Sequence, residues 1–326
     1  MREGYPTNSI FQSPWWLDAV APGSWEAVEL TSAKHGLDAW LPYVVRFDSV
    51  GLKTIDMPPL TLSLGPWIRE PASPSPRKQL NHYMSTLDQL VKLLPEVDLC
   101  RMSLHHSIPT ALPFAQHGFC LQLAYTYRID DLESEDDIWQ QISTSRRQDI
   151  QKAQKQLEVR RSDDIDLFLR LNNLTYSRQS IKPPYTNDFV RRIHATCQAN
   201  DSGAIIIAFD EHDNAHGAHF LAYDDDTTNG LMSGIDPQYR KSNAGSLLMW
   251  EALRFAAKYS DSFSFSGGTI TNVEPFISSF GGTQVPYVRV VKDSLRWRSL
   301  MLARDSAQKL RAVPSRLAKV RSVHPR

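Results

Sequence analysis

At 326 residues, with 41% apolar and 22% charged side chains, the chain has the make-up of a folded globular protein with room for two cores, not of a disordered one. Its formal charge is zero, but residues 294–326 carry nine bases (Arg296, Arg298, Arg304, Lys309, Arg311, Arg316, Lys319, Arg321 and Arg326) against one acid, Asp305. The tail is therefore basic and the body mildly acidic.

Cys100, Cys120 and Cys197 are odd in number and far apart, which argues against a disulfide framework and for a reducing compartment. No apolar run follows Met1-Arg2, and no stretch approaches the roughly 18 apolar residues of a membrane span. A cytoplasmic protein is expected.

In the first half, Ala39–Val45 is a short apolar run that predicts a strand. The prolines at 58, 59, 66, 71, 74 and 76 exclude a central strand or helix there. Lys78–Leu94 carries Leu80, Tyr83, Met84, Leu87, Val91 and Leu94 at helical spacing. Cys120–Ile129 alternates, with Leu121, Leu123, Tyr125, Tyr127 and Ile129 on one side and Gln122, Thr126 and Arg128 on the other. That predicts a half-buried strand.

Ser134, with Asp137 three residues on, opens a long helix. Its apolar stripe is Ile138, Ile142, Ile150, Ala153 and Leu157, and Arg146, Arg147, Lys152 and Lys155 form a basic flank. Further helices are predicted near Asp164–Thr175 and Asn187–Ala199. Ala204–Phe209 is unbroken apolar sequence, as in a strand covered on both faces. Turns then lead into strands at Gly217–Tyr223 and Gly230–Ile235, two successive hairpins. A helix over Ala244–Tyr259, a strand at Ser262–Ser266, a short helix at Val273–Phe280 and a closing strand at Gln284–Val291 complete the pattern.

The informative segment joins the strand ending at Ile235 to the helix starting near Ala244. A helix's first N–H groups point outward with partial positive charge and can hold a phosphate. Gly245 lets a ligand approach the backbone, while Arg240 and Lys241 add formal charge. Asn243 can take a left-handed conformation or cap the helix.

Antiparallel hairpins, then Arg240-x-x-Asn243-x-Gly245 at a helix start, then a strand ending in Gly267-Gly268, resemble the GNAT acyltransferase superfamily. Its pyrophosphate loop reads Arg/Gln-x-x-Gly-x-Gly/Ala, and Asn243 stands where the first glycine is usual. Over roughly residues 10–292 the chain resembles the FemAB-like and BioF2-like branch. Phe11-Gln-Ser-Pro-Trp-Trp-Leu17, Arg147…Ile150…Lys152-Ala153 and Phe263-Ser-Phe-Ser-Gly-Gly268 carry that likeness, together with Phe280-Gly-Gly282 and Pro286-Tyr287. The acidic residue usual in the strand before Gly267 is absent.

The resemblance implies an α/β (α+β) fold of two GNAT-type domains, each a mostly antiparallel mixed sheet flanked by helices. The expected divisions are 1–130, 131–293 and a basic tail, 294–326. It also implies an N-acyltransferase that moves an acyl group from an acyl-CoA-type donor to an amine of a sugar or amino acid, in cell-surface polysaccharide or cell-wall building. Family members use acyl-CoA or charged tRNA, and the coiled-coil arm of the tRNA-using enzymes has no counterpart here. A non-catalytic relative that keeps the cleft for a ligand or partner, and an aminoacyl-tRNA-dependent transferase, are the alternatives.

On this reading Arg240, Lys241 and the backbone of Asn243, Ala244, Gly245 and Ser246 clamp the donor phosphates. N–H groups ending the strand Gly230–Ile235 polarise the thioester carbonyl. Asp236 or Glu274 accepts the amine proton, and Tyr287 protonates the leaving thiolate. Asp236 before Pro237 could equally initiate a turn, Glu274 could serve a helix N-terminus, and Tyr287 could be a packing residue. No metal is expected: His212, His216 and His219 straddle a hairpin without a fourth ligand. His105-His106 could line the cleft between domains but reads more simply as a solvated loop, and Asp224-Asp225-Asp226 could bind a cation but reads more simply as a solvated turn. The acceptor is a small or lipid-linked amine. The tail, with Leu295, Trp297, Leu300 and Met301 among its bases, reads as a final helix with a frayed end or as an interfacial segment peripheral to the inner membrane. It has no aromatic platform for nucleic acid.

Overall fold

A computed structural model describes residues 4–178, 180–266 and 273–312, with side chains to 304. The Gly267-Gly268 pair and the tail beyond residue 312 lie outside the described residues. Twelve strands form one mixed sheet. The first six are β1 (Trp25–Ser32), β2 (Gly36–Phe47), β3 (Lys53–Ile55), β4 (Trp67–Ile68), β5 (Leu99–Ser103) and β6 (Cys120–Ile129). The rest are β7 (Glu158–Ser162), β8 (Gly203–Phe209), β9 (Ala215–Tyr223), β10 (Thr227–Ile235), β11 (Ser262–Ser264) and β12 (Thr283–Asp293). Helices are α1 (Pro14–Val20), α2 (Pro76–Leu93), α3 (Leu112–Gln116), α4 (Glu135–Gln141) and α5 (Thr144–Gln154). They continue as α6 (Ile165–Arg178), α7 (Asn187–Ala199), α8 (Ala244–Tyr259), α9 (Glu274–Ser278) and α10 (Leu295–Ala312).

Strand order is β1-β2-β3-β5-β12-β6-β11-β10-β9-β8-β7, with β4 beside β2. Only β3/β5 and β10/β11 run parallel. The last strand therefore does not close the sheet. It lies inside it, pairing Arg289–Asp293 with Leu99–Ser103 of β5 and Thr283–Val291 with Cys120–Arg128 of β6.

The hairpins β8-β9 and β9-β10 form as the turn residues require. In β8, Ile205 and Ile207 pack under α6 and α7, while Ile206 and Ala208 face α5 and α8. Burial on both faces is why that strand is apolar throughout. A third core packs α2 and α3 onto β2, β5 and β12. The N-terminal residues Ile10, Phe11 and Trp16 join the α6–α7 core, and Ile10 N–H donates to Asp224 (2.7 Å). Asp224 is thus tied into the body, not left in a solvated turn.

Two other expectations change. The long helix from Ser134 is two helices: Ser134 caps the first by accepting from Asp137 N–H (3.2 Å), and Ile142 then turns extended. Ser143 N–H leaves the helical ladder for the carbonyl of Ser279 (2.9 Å), fastening α5 to α9. The apolar stripe survives the break because Ile138, Ile142, Ile150, Ala153 and Leu157 are all buried. In β6 the alternation is present, but burial follows position along the strand as well as side. Leu121 and Leu123 are 41% and 61% exposed, whereas Ile129 and Arg128 at the far end are 4% and 9% exposed. The polar side, Gln122, Thr126 and Arg128, lines a cavity.

Gly234, near the end of β10, is where α6 comes closest to the sheet. A Cβ there would lie 2.4 Å from the backbone N of Asn172 and from the carbonyl carbon of Leu171. Backbone cannot rotate aside as a side chain can, so Gly234→Ala must lift α6 off β10. We expect a loss of about 2–3 kcal/mol, read as a lower urea midpoint at unchanged slope.

Candidate active site

The connection from β10 to α8 is built in three steps. Asp236 caps a 3-10 turn over Pro237–Ser242, accepting from Gln238 N–H (2.9 Å). Arg240 and Lys241 sit exposed in its last turn. Asn243 adopts the left-handed conformation (φ 59°) and makes no side-chain cap, so of its two expected roles it takes the conformational one. Its carbonyl accepts from Ser246 N–H (3.0 Å) and Leu247 N–H (3.2 Å). The clamp expected over Asn243–Ser246 thus narrows, and Ala244 and Gly245 supply the outward N–H groups of the first turn.

Gly245 lies in helical backbone, and a Cβ there would meet only Ile235 at 3.5 Å, an ordinary contact. Nothing in the protein's own packing demands glycine at this position. Arg146 of α5, read from sequence only as part of a basic flank, reaches the same turn. Its guanidinium donates to Ser246 Oγ (3.0 Å) and Ser279 Oγ (3.2 Å) while lying over the Phe276 ring (4.7 Å). It is also paired with Asp149 on its own helix (3.1 Å), which offsets its charge.

Strands β10 and β11 pair only over Thr227–Asn229 with Ser262–Ser264. Beyond Asn229, β10 runs on to Ile235 without a recorded partner on that edge among the described residues. Its far end is held by α6, where Asn172 donates to the Ser233 carbonyl (2.8 Å) and Thr175 Oγ accepts from Ile235 N–H (3.0 Å). That uses the last N–H of the strand, so donors toward a thioester carbonyl would come from earlier in Gly230–Ile235.

A cavity of about 660 Å³ reaches this divergence on the sheet face away from α8. Asn229 and Ser264 form its wall at the divergence; Arg101, Gln122, Arg128 and Arg289 form the sheet wall, with His105 and His106 on a neighbouring loop. Of the two expectations for the histidines the solvated loop gives way to the other: both line this wall, their rings 4.1 Å apart and tilted by 52°. Burial, His106 and Arg128 push His105 down to about 3. Burial and Arg128 push His106 down to about 4. Both are neutral near pH 7.

The three proposed catalytic side chains are not brought together. Tyr287 lies on the cavity wall, where its hydroxyl accepts from Arg289 (2.8 Å). Glu274 begins α9 and accepts from the Tyr127 hydroxyl (2.5 Å), raising the tyrosine above its ordinary range. Asp236 is at the donor turn, 3.7 Å from Arg170. Among the described residues no group of three His, Cys, Asp or Glu is set to hold a metal. His216 instead approaches Asp210 (3.2 Å) and stacks on Tyr239 (3.9 Å). His219 is buried and pushed down to about 4 by that burial. No described helix is long and apolar enough to cross a membrane.

Residues 144–270 match the family model described as an acetyltransferase (GNAT) domain. This marks the segment from α5 to β11 as a GNAT acetyltransferase-type domain. The fold of the chain as a whole is FemX-like. The chain is similar to FemX, at 9% identity and a TM-score of 0.66, covering 88% of this chain and 93% of that one. It is also similar to the C-terminal domain of a putative lysylphosphatidylglycerol synthetase from Agrobacterium fabrum, at 8% identity and a TM-score of 0.55, covering 90% of each. At such identities the likeness is one of fold. No curated protein matches the chain.

The lowered histidines have a consequence for stability. An unfolded histidine binds a proton near pH 6.5, whereas folded His105 and His106 resist it until about pH 3 and 4. Stability is therefore present above 6.5 and falls as pH drops toward 4, by up to about 1.4 kcal/mol per pH unit per histidine. His106→Gln should flatten that slope by up to this amount in urea unfolding between pH 7 and 4.5.

Proposed function

We propose that the chain is an N-acyltransferase whose donor is an acyl-CoA and whose acceptor is a small-molecule amine held in the cavity. One observation carries this reading: β10 leads from the cavity wall at Asn229 to the turn before α8 beyond Ile235, roughly 20 Å of strand that has no described partner on its β11 side past Asn229. The donor's phosphates meet the first-turn N–H groups of α8 together with Arg240, Lys241 and Arg146. Its extended arm runs into the gap past Asn229 toward the cavity. There the neutral amine attacks the thioester carbonyl; a C–N bond forms, the C–S bond breaks, the nitrogen loses a proton and the thiolate gains one. His106 and His105 share the cavity wall with Asn229 and Ser264; held down to about 4 and 3, they can accept a hydrogen bond from the attacking nitrogen but are weak bases for its proton, which passes to solvent. Tyr287 stands farther along the same wall, where its hydroxyl accepts from Arg289 (2.8 Å), and is therefore not the group that protonates the thiolate. A cavity of this size suits a small molecule, and a lipid-linked amine would have to present a head group of that size. Arginines on α10 beside exposed Leu295 and Leu302 support peripheral attachment of such an acceptor's membrane.

The test is ligand-induced stabilisation, because a donor that binds the native state raises the melting temperature by mass action. Acetyl-CoA and CoA should raise it. Arg240→Ala with Lys241→Ala should weaken donor binding by about tenfold or more, the size of one charge-assisted contact. Gly245→Ala should leave stability unchanged or up to about 1 kcal/mol higher while weakening the donor. Donor affinity unaltered in both variants would overturn the reading.

A further inference from the structure

The cavity's charge is uneven, and its excess is positive. Three arginines line it against one acid, Asp56, with no lysine or glutamate among its lining residues. Asp56 is used by Arg101. Arg128 is held by Asp130 (2.9 Å) and by the hydroxyls of Ser262 (2.7 Å) and Thr227 (3.4 Å). Arg289 is different: its only recorded polar contact is with the Tyr287 hydroxyl, and no carboxylate pairs with it among the described residues. A cationic wall in a concave space concentrates anions.

The register says where that charge lies. Arg128 is opposite Ser264 and Thr283, next to the divergence, whereas Arg289 is opposite Ser103 and Gln122. Six residues of β12 separate Thr283 from Arg289, roughly 20 Å of strand. Allowing for the reach of an arginine side chain, an acid group at Arg289 would stand on the order of 10 Å from an amine at the divergence. Arg101, across β5 from Val291, sits beside it.

We propose that the acceptor is an elongated amine with an acid group, carboxylate or phosphate, at the end away from the reacting nitrogen, and that Arg289 beside Arg101 holds that group. The proposal rests on the cavity being the acceptor's site. A neutral polyol amine would leave the arginine uncompensated, and an α-amino acid would be too short to engage both ends.

The experiment is isothermal titration of inorganic phosphate, and separately of glutarate, into the full chain at low ionic strength, where screening is weakest. It is done in the Arg240→Gln/Lys241→Gln background so that the donor turn does not contribute. There, Arg289→Gln should weaken at least one anion by about fivefold or more, and Arg289→Lys should restore most of the binding. Arg289 is exposed, and the lysine variant separates lost charge from lost fold. A response to phosphate alone assigns a phosphate-bearing acceptor, and a response to glutarate alone a carboxylate. Equal binding by the parent and Arg289→Gln for both anions, or absence of binding in the parent, overturns the proposal. Acyl-CoA binding by the Arg240/Lys241 variants judges the donor reading separately.

Discussion

The cavity depends on one ladder, the insertion of β12 between β5 and β6. Chain from residues 283–293 pairs on one edge with residues 99–103 and on the other with residues 120–128. Pleating sends alternate side chains to opposite faces, so Arg101 and Ser103, Arg289 and Tyr287, and Gln122, Thr126 and Arg128 all emerge on one side. Met102 and Val290, one residue out of phase, enter the core beneath α2 and α3. A slip of one residue in β12 would exchange these sets, putting arginine in the core and valine on the cavity wall. The apolar partners on the far face therefore fix the chemistry on the near one.

The two charged regions use different physics. At the donor turn Arg240 and Lys241 are exposed, and the order comes from the backbone, through the left-handed Asn243 and the first turn of α8. In the cavity Arg101 and Arg289 are exposed, but Arg128 is a guanidinium 9% exposed, tolerable because a carboxylate and two hydroxyls accept its hydrogen bonds. Its field also helps to keep His105 and His106 neutral. The buried charge that joins β6 to β11 thus also sets the protonation of the nearest histidines.

Local pattern made some of this legible and non-local pairing hid the rest. The β8–β9–β10 hairpins and α8 are written in short-range signals, namely turn residues, apolar runs and a glycine at a helix start, and they fall where those signals put them. The alternation in β6 located a two-faced strand but could not say which face was buried. That depends on β12, more than 150 residues later. The break at Ile142-Ser143 was invisible because the apolar stripe continues across it, and the cause is a carbonyl at Ser279. Arg146 read as part of a basic flank because two of its partners, Ser246 in α8 and Ser279 just after α9, are more than 90 residues away in sequence. The cavity draws on segments near residues 9, 56–63, 101–106, 122–128, 227–229, 264–266 and 287–291, so no window of sequence contains it.

Two glycines in the β10–α8 unit show how close packing and ligand space can be told apart. At Gly234 the missing Cβ is occupied by the backbone of α6, and the residue is explained within the protein. At Gly245 the missing Cβ faces ordinary van der Waals distance, in a helix where alanine would be favoured by about 1 kcal/mol. A helix that forgoes that gain without an internal reason leaves its first turn bare to something outside the chain. The turn bears outward N–H groups and stands beside Arg240, Lys241 and Arg146, so that something is anionic. On the proposed reading the α8 face takes the phosphates of the donor, and the opposite face, with its neutral histidines and distal arginines, takes the amine.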